Sequence, residues 1–135
     1  MATETSVGQE LWSGAAVVDR SSLQRWGEAT GAEVSEEVPP GLLLSLVPME
    51  AVLAKVDAPG RRVLANEFQL EQLRPLRVGQ PVRLRSRLAD ITVRPGALAS
   101  TTFITCDDEG QDAVTGETVF RARRIFAVLP ARGAA

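Results

Sequence analysis

The sequence predicts an α+β fold in which an antiparallel sheet wraps around one buried helix. Two observations lead to this prediction. Residues 38–56 form the most apolar long stretch of the chain and begin with a helix-entry signal. After the turn-forming residues 57–60 (DAPG), helical spacing gives way to the two-residue alternation of strands. One buried helix followed by consecutive strands is the pattern of an α+β domain.

The central helix is predicted over residues 38–56. Pro39 and Pro40 suit its first turn because proline fixes φ and lacks an N–H. Gly41 follows them and lets backbone or ligand approach the helix start closely. The helix is therefore expected to begin at this Pro-Pro-Gly sequence.

The body of this helix is apolar on almost every side. Between residues 42 and 47 only Ser45 is polar, which indicates burial rather than a surface stripe. Pro48 removes a backbone hydrogen bond and is expected to kink the helix. The apolar run is far below the ~20 residues that span a bilayer, so we interpret it as a core helix.

A strand and a shorter helix are predicted before the central helix. Residues 14–18 (GAAVV) suit a strand. Asp19 can cap a helix by accepting a free N–H of its first turn, and Gly31 marks the end of that helix. Residues 1–11 are expected to be a flexible tail, and residues 33–40 an acidic loop that leads into the central helix.

The remaining chain is predicted to form four strands. These cover residues 63–73, 82–93, 98–106 and 113–129, separated by a bend over 74–80 and by turns at 95–96 and 107–110. The last residues, 130–135, are expected to be a second flexible tail.

The strand that begins at residue 82 has two different faces. Its apolar face carries Val82, Leu84, Ser86 and Leu88, and its polar face carries Arg83, Arg85 and Arg87. This alternation slips at Ala89 and Asp90, and a β-bulge there would return Ile91 and Val93 to the core face.

Length and charge limit the function classes. The 135 residues are expected to form one domain, with flexible tails at 1–11 and 130–135. There are 15 basic and 17 acidic residues and no basic block, which argues against a nucleic-acid partner. The first ten residues lack an apolar core, so no signal peptide is predicted, and we expect a cytoplasmic protein without a membrane partner.

The chain has one cysteine and no histidine, which narrows the chemistry available to it. Cys106 cannot form an internal disulfide, and we expect a small core residue there. The commonest metal ligand and the commonest general base are both missing without histidine. We therefore predict no metal and no cofactor.

A sheet wrapped around one helix is the hot-dog architecture. It leaves an edge strand and an apolar flank that a single copy does not cover. A homodimer, a heterodimer with another hot-dog subunit, or a double hot dog is therefore expected.

Three segments resemble landmarks of the MaoC-like hydratase/dehydratase family in order and spacing. They are residues 17–31 (VVDRSSLQRWGEATG), 40–48 (PGLLLSLVP) and 73–80 (LRPLRVGQ). With the strand at 118–124, the resemblance covers about residues 14–128. It implies a hot-dog domain that handles acyl thioesters of coenzyme A or an acyl carrier protein, adding or removing water across the α,β-bond.

The resemblance also implies a site, from which this sequence departs. The family uses an Asp and a His in the loop after the first helix, and a backbone N–H at the start of the central helix polarises the thioester carbonyl. Aligning that loop places Ala32 at the Asp position and Glu37 near the His position. Only Gly41 matches, where the positive end of a helix would stabilise an oxyanion.

The candidate site residues come from the acidic loop, the helix start and the arginine face of the strand at 82–93, and each has a plainer interpretation. The candidate catalytic residues are Glu33, Glu36, Glu37 and Gly41, and the candidate substrate-binding residues are Trp26, Leu42, Leu43, Arg83 and Arg85. A loop carboxylate buried against Leu43 or Trp26 would be a candidate acid or base; otherwise the three are a solvated loop. Gly41 could be a simple helix-start glycine, and the arginines could be an exposed strand face rather than a phosphate clamp.

Three functional interpretations remain open. The chain could be a non-catalytic MaoC-like subunit that shapes an acyl tunnel for a partner carrying the Asp and His. It could be a repurposed enzyme, such as a cyclase or isomerase of a polyketide-like chain, that uses the loop carboxylates. The third interpretation is a thioesterase-like hot dog with a carboxylate base.

Overall fold

The computed structural model describes residues 6–56, 62–97 and 100–129. In chain order the elements are β1 (Glu10–Val17), α1 (Arg20–Thr30), α2 (Pro40–Ser45), α3 (Met49–Leu53), β2 (Arg62–Gln72), β3 (Pro81–Arg94), β4 (Thr101–Asp112) and β5 (Thr118–Leu129). The strands form one antiparallel sheet in the order β1-β3-β4-β5-β2. One face of this sheet packs against the helices around a single apolar core. The predicted α+β hot-dog fold is confirmed.

The central segment is not the single long helix that the sequence predicts. It consists of two short helices, α2 and α3, and Pro48 adopts an extended conformation (φ −74°, ψ 120°) as the residue before α3. A residue that precedes proline is disfavoured in helical geometry, so the chain leaves the helix at Val47 instead of kinking through it. We call residues 46–48 the α2–α3 junction.

Burial of this segment is also less complete than expected. Leu43, Val47 and Val52 are fully buried, whereas the leucines at 42, 44 and 46 are half-buried and Met49 is exposed. Part of the apolar surface of the segment therefore faces outward in the single chain.

The first helix matches its prediction, but the N-terminal tail does not. Asp19 Oδ1 accepts the Ser22 N–H at 2.7 Å, and Gly31 ends α1 in the left-handed conformation (φ 74°). The strand β1, however, begins at Glu10, and Leu11 is buried in the core. The expectation of a tail over 1–11 is therefore wrong at its last residues; residues 1–5 and 130–135 lie outside the described part of the chain.

The bulge in β3 is confirmed, with a register shift between Leu88 and Asp90. Its expected effect holds only in part. Ile91 is half-buried, but Val93 is exposed because β3 extends beyond the core at this end.

The turn predicted at residues 107–110 is wrong. These residues lie inside β4, and the connection to β5 is a turn in which the Gly116 N–H donates to the Asp112 carbonyl at 2.8 Å, with Gly116 at φ 77°. The acidic Asp-Asp-Glu-Gly sequence is held as a strand because its side chains face arginines of the neighbouring strands.

Candidate functional site

Trp26 covers the start of α2. A Cβ atom placed on Gly41 would lie 3.2 Å from Trp26 Cζ2, closer than carbon atoms normally pack. Gly41 is the second residue of α2, where a backbone N–H has no acceptor within the helix. The structure thus gives Gly41 a packing role: it admits the half-buried indole ring beside the helix start.

The loop before α2 is pinned to the bend that precedes β3. The Val38 N–H donates to the Leu76 carbonyl at 2.7 Å, and the Val78 N–H donates to the Glu36 carbonyl at 2.9 Å. Glu37 pairs with Arg77 in an isolated antiparallel bridge between these segments. The backbone of the loop is therefore fixed.

The three candidate carboxylates of this loop are all exposed. Glu36 forms an ion pair with Arg20 at 2.8 Å, with 58% of the Glu36 side chain accessible. Glu33 and Glu37 are likewise exposed. The condition for an acid or base, a carboxylate buried against Leu43 or Trp26, is not met in this structure.

The candidate substrate-binding residues do not form one site. Leu43 is fully buried in the core, while Leu42 and Trp26 are half-buried on the helix side of the sheet. Arg83 and Arg85 alternate with the core residues of β3 and therefore lie on the opposite face. The structure places the two arginines away from the start of α2.

The face that carries these arginines is a network of paired charges. Arg85 donates to Glu109 at 3.2 Å, and Arg123 binds Asp107 through two hydrogen bonds of 2.8 and 3.0 Å. A shallow groove of about 680 Å³ runs across this face. Its lining has four acidic residues and four arginines, so the groove has little net charge: Glu71, Asp107, Asp108, Glu109, Arg85, Arg87, Arg121 and Arg123.

A second polar cluster, which the sequence analysis missed, lies on the helix-facing side of the sheet. We call Ser86, Cys106, Asp108 and Arg124 the buried cluster. Arg124 Nε lies 2.6 Å from Asp108 Oδ2, and Arg124 Nη1 donates to the Val47 carbonyl at 3.3 Å. Arg124 therefore connects β4 to the α2–α3 junction.

Burial governs the electrostatics of this cluster. It raises the pKa of Asp108 above its ordinary range, while the Arg124 charge acts in the opposite direction. Burial, together with the nearby Asp108 charge, raises the pKa of Cys106 to about 12. The Cys106 thiol is thus an inert core group, as expected from the sequence.

The sequence contains one signal that could have revealed this cluster. Arg121 and Arg123 follow the polar phase of β5, but Arg124 occupies a position where the core phase requires an apolar residue. A charged residue in the core phase needs a buried partner. Its partner, Asp108, lies within residues 107–110, where the sequence predicts a turn instead of a strand with a buried side.

Two further features of the described residues bear on function. No cluster of three or more potential metal-ligating side chains occurs in ranges 6–56, 62–97 and 100–129. Within the same ranges, no helix combines the length and the apolar character that a membrane crossing requires.

The sheet order and the helices on one face define a hot-dog protein, and comparison with solved structures finds similar proteins. The chain is similar to a subunit of the ChsH1–ChsH2 complex of Mycobacterium tuberculosis (TM-score 0.73, 18% identity, covering 93% of this chain and 86% of that chain). It is also similar to a subunit of the HadBC 3R-hydroxyacyl-ACP dehydratase complex of the same organism (TM-score 0.72, 15% identity, coverage 94% and 99%).

A third similar structure is the MaoC-like dehydratase of Rhodospirillum rubrum (TM-score 0.64, 15% identity, covering 93% of each chain). No protein-family model matches the sequence, and no curated protein matches it either. The fold is thus the hot-dog fold of MaoC-like dehydratases, as the sequence resemblance implied.

Proposed function

We propose that this protein is an acyl-thioester-binding hot-dog subunit of the dehydratase/hydratase type that acts with a second hot-dog subunit. In this proposal the partner supplies the proton-transfer residues. This chain contributes the start of α2, where the Gly41 N–H faces the thioester carbonyl and Trp26 and Leu42 contact the acyl group.

The observation that carries this proposal is the state of the loop before α2. The sequence has no histidine, and Ala32 stands at the position that the resemblance assigns to the catalytic Asp. The carboxylates that remain, Glu33, Glu36 and Glu37, are all exposed. A hot-dog domain that keeps the fold but has no proton-transfer group in this loop is what we expect of a non-catalytic subunit that works with a catalytic partner.

The edge of the sheet supports the need for a partner. The strand β2 is an edge strand, and its exposed side chains include Leu64 and the aromatic ring of Phe68, which is 63% accessible. Long exposed edges with apolar side chains favour pairing with another chain. Two of the similar structures, ChsH1–ChsH2 and HadBC, are themselves complexes.

The other interpretations have less support. A cyclase or isomerase that uses the loop carboxylates would need at least one of them in a water-poor pocket, and their exposure does not favour this. A thioesterase would hydrolyse the acyl thioester. That outcome separates it from a binding subunit in the experiment below.

Co-expression with candidate partners tests the proposal. The tagged chain is co-expressed with hot-dog proteins encoded by neighbouring genes. The binding of octanoyl-coenzyme A to the purified chain or complex is then measured by calorimetry. We expect a stoichiometric heterodimer that binds the thioester without hydrolysing it. A chain that forms no complex with any candidate partner and binds no thioester would contradict the proposal. Release of free coenzyme A would instead favour the thioesterase interpretation.

A further inference from the structure

The α2–α3 junction contains a backbone carbonyl that the helices do not satisfy. Pro48 is extended and has no N–H, so α2 ends before it, and the last carbonyls of a helix have no donor within that helix. Val47 lies at this point and is only 2% exposed. Among the described residues, no backbone N–H donates to its carbonyl. A buried carbonyl without a donor is costly, so the junction needs a donor from a side chain.

Arg124 supplies this donor from the sheet. Its Nη1 donates to the Val47 carbonyl at 3.3 Å. Two contacts hold the same guanidinium on the sheet: Nε lies 2.6 Å from Asp108 Oδ2, and the guanidinium carbon lies 5.3 Å from the centre of the Phe126 ring. The planar fork of arginine makes these contacts from different nitrogens and from its face. The charged residue in the core of β5 thus ties the sheet to the junction.

Apolar packing alone gives α2 little orientation. Of its six residues only Leu43 is fully buried, while its neighbours at positions 42 and 44 are half-buried. The entry to the helix is fixed by the Val38 N–H, which donates to the Leu76 carbonyl at 2.7 Å. A six-residue helix is only ~9 Å long, so a shift at its end moves its start as well. The hydrogen bond to Val47 is therefore the polar restraint at the far end of α2.

We propose that Arg124 is a positioning residue for the thioester site at the start of α2. It holds the junction through the Val47 carbonyl and so sets the orientation in which the Gly41 N–H meets the thioester. This role deepens the proposed function and rests on it. The start of α2 tolerates little movement, because a Cβ atom on Gly41 would lie only 3.2 Å from Trp26 Cζ2. Trp26 therefore reports on the position of the helix.

Arg124→Lys tests this role. Lysine keeps the positive charge beside Asp108, but its single ammonium replaces the fork that reaches Val47 from a second nitrogen. The first readout needs no ligand. The chain has two tryptophans, so Trp12→Phe leaves Trp26 as the single fluorophore. In this background we expect Arg124→Lys to increase the quenching of Trp26 by acrylamide.

The second readout is the affinity of the complex with its hot-dog partner for octanoyl-coenzyme A, measured by calorimetry. We expect Arg124→Lys to raise Kd about fivefold, the factor that corresponds to one net hydrogen bond. Arg123→Lys is the matched control, because it makes the same change one residue earlier, on the exposed face of β5. It should leave both the quenching and Kd unchanged.

A second variant guards against loss of folding. Asp108→Leu combined with Arg124→Met removes the anchor without leaving a buried charge, and it should weaken thioester binding to a similar extent. All measurements are made well below the melting temperature of each variant. A merely stabilising role of Arg124 would lower the melting temperature but would leave the quenching of Trp26 and Kd as in the parent protein.

The outcomes separate this role from the proposed function. Increased quenching together with weaker binding supports Arg124 as a positioning residue. If the parent complex binds octanoyl-coenzyme A and the folded variants bind it equally well, the role of Arg124 is refuted while the proposed function stands. Unchanged quenching of Trp26 refutes the role as well. If the parent complex binds no thioester, the proposed function fails and the role of Arg124 at that site fails with it.

Discussion

Arg124 and Asp108 form a buried ion pair between neighbouring strands, with Arg124 Nε 2.6 Å from Asp108 Oδ2. One residue earlier in each strand, Arg123 and Asp107 form a bidentate ion pair on the opposite, solvent-exposed face of the sheet. The alternation of strands thus places two chemically identical pairs in opposite environments.

This contrast gives a stability prediction. Arg124→Met leaves the Asp108 charge buried without a partner, and we expect it to lower the free energy of unfolding by about 3–5 kcal/mol. Arg123→Met breaks the exposed pair and should cost about 1 kcal/mol or less. Urea unfolding of the two variants measures both effects. Equal losses would contradict the assignment of Arg124 as the buried partner.

A double variant separates loss of pairing from loss of fold. Asp108→Leu combined with Arg124→Met removes both charges together. It should recover most of the stability lost in the single variant, because no uncompensated charge remains. A double variant as unstable as Arg124→Met would instead indicate that the cluster is needed for packing.

Cys106 is predicted to be unreactive in the folded protein. Its side chain is fully buried and its pKa is raised from 9.0 to about 12, so little thiolate forms at pH 8. A thiol reagent should modify the native protein at least a hundredfold more slowly than the urea-unfolded protein, by the order of the change in thiolate fraction. Since this is the single cysteine of the chain, the reaction reports on this site alone. Rapid modification of the native protein would contradict its burial.

The same shift predicts a loss of stability in alkali. Above pH 9 the unfolded chain releases the thiol proton while the folded chain retains it, so the folded state binds more protons and its stability falls as the pH rises towards 12. Cys106→Ala should show a smaller decline over this interval. Parallel declines for the two proteins would indicate that the thiol does not titrate differently in the two states.

Gly41 and Trp26 allow packing to be distinguished from ligand binding. Gly41→Val pushes a side chain into the indole ring and should cost about 1–3 kcal/mol of stability. Adding Trp26→Leu should restore part of that loss, because the two residues are in contact. If the Gly41 N–H also serves the acyl thioester, the double variant binds more weakly than Trp26→Leu alone. Recovered stability together with binding equal to that of Trp26→Leu alone would assign Gly41 to packing.

The edge strand β2 gives a prediction about assembly. Phe68→Lys places a charge on the exposed edge and should shift the protein towards monomer, as seen by light scattering. Val114→Lys changes an even more exposed apolar residue in the turn before β5 and should leave the assembly unchanged. A parent protein that stays monomeric at micromolar concentration, both alone and when co-expressed with hot-dog partners, would refute the proposed partner surface.

The sequence predicts the fold well where local and tertiary preferences agree. The cap at Asp19, the stop at Gly31 and the bulge after Leu88 are all confirmed, since each follows from backbone chemistry or from a break in alternation. The predictions of one long central helix and of a turn at 107–110 are wrong for a common reason. In both places local propensity was overridden: Pro48 ends a helix that apolar content favours, and cross-strand arginines hold acidic residues in β4.

The candidate site could be predicted only in part. The start of α2 and the nearby Trp26 are found from the resemblance, and the structure brings them together. The buried cluster could not be assembled from the sequence, because Asp108 and Arg124 become partners only when β4 and β5 pair. Which face a charged residue occupies depends on strand register, which local chemistry does not specify.

The most direct test of the account is turnover by the isolated chain. The purified protein, without a partner, is assayed with crotonyl-coenzyme A while binding of the same thioester is measured in parallel. The account predicts binding with no hydration above background, because the chain has no histidine and its loop carboxylates are exposed. Robust hydration by the isolated chain would contradict the claim that the proton-transfer residues come from a partner.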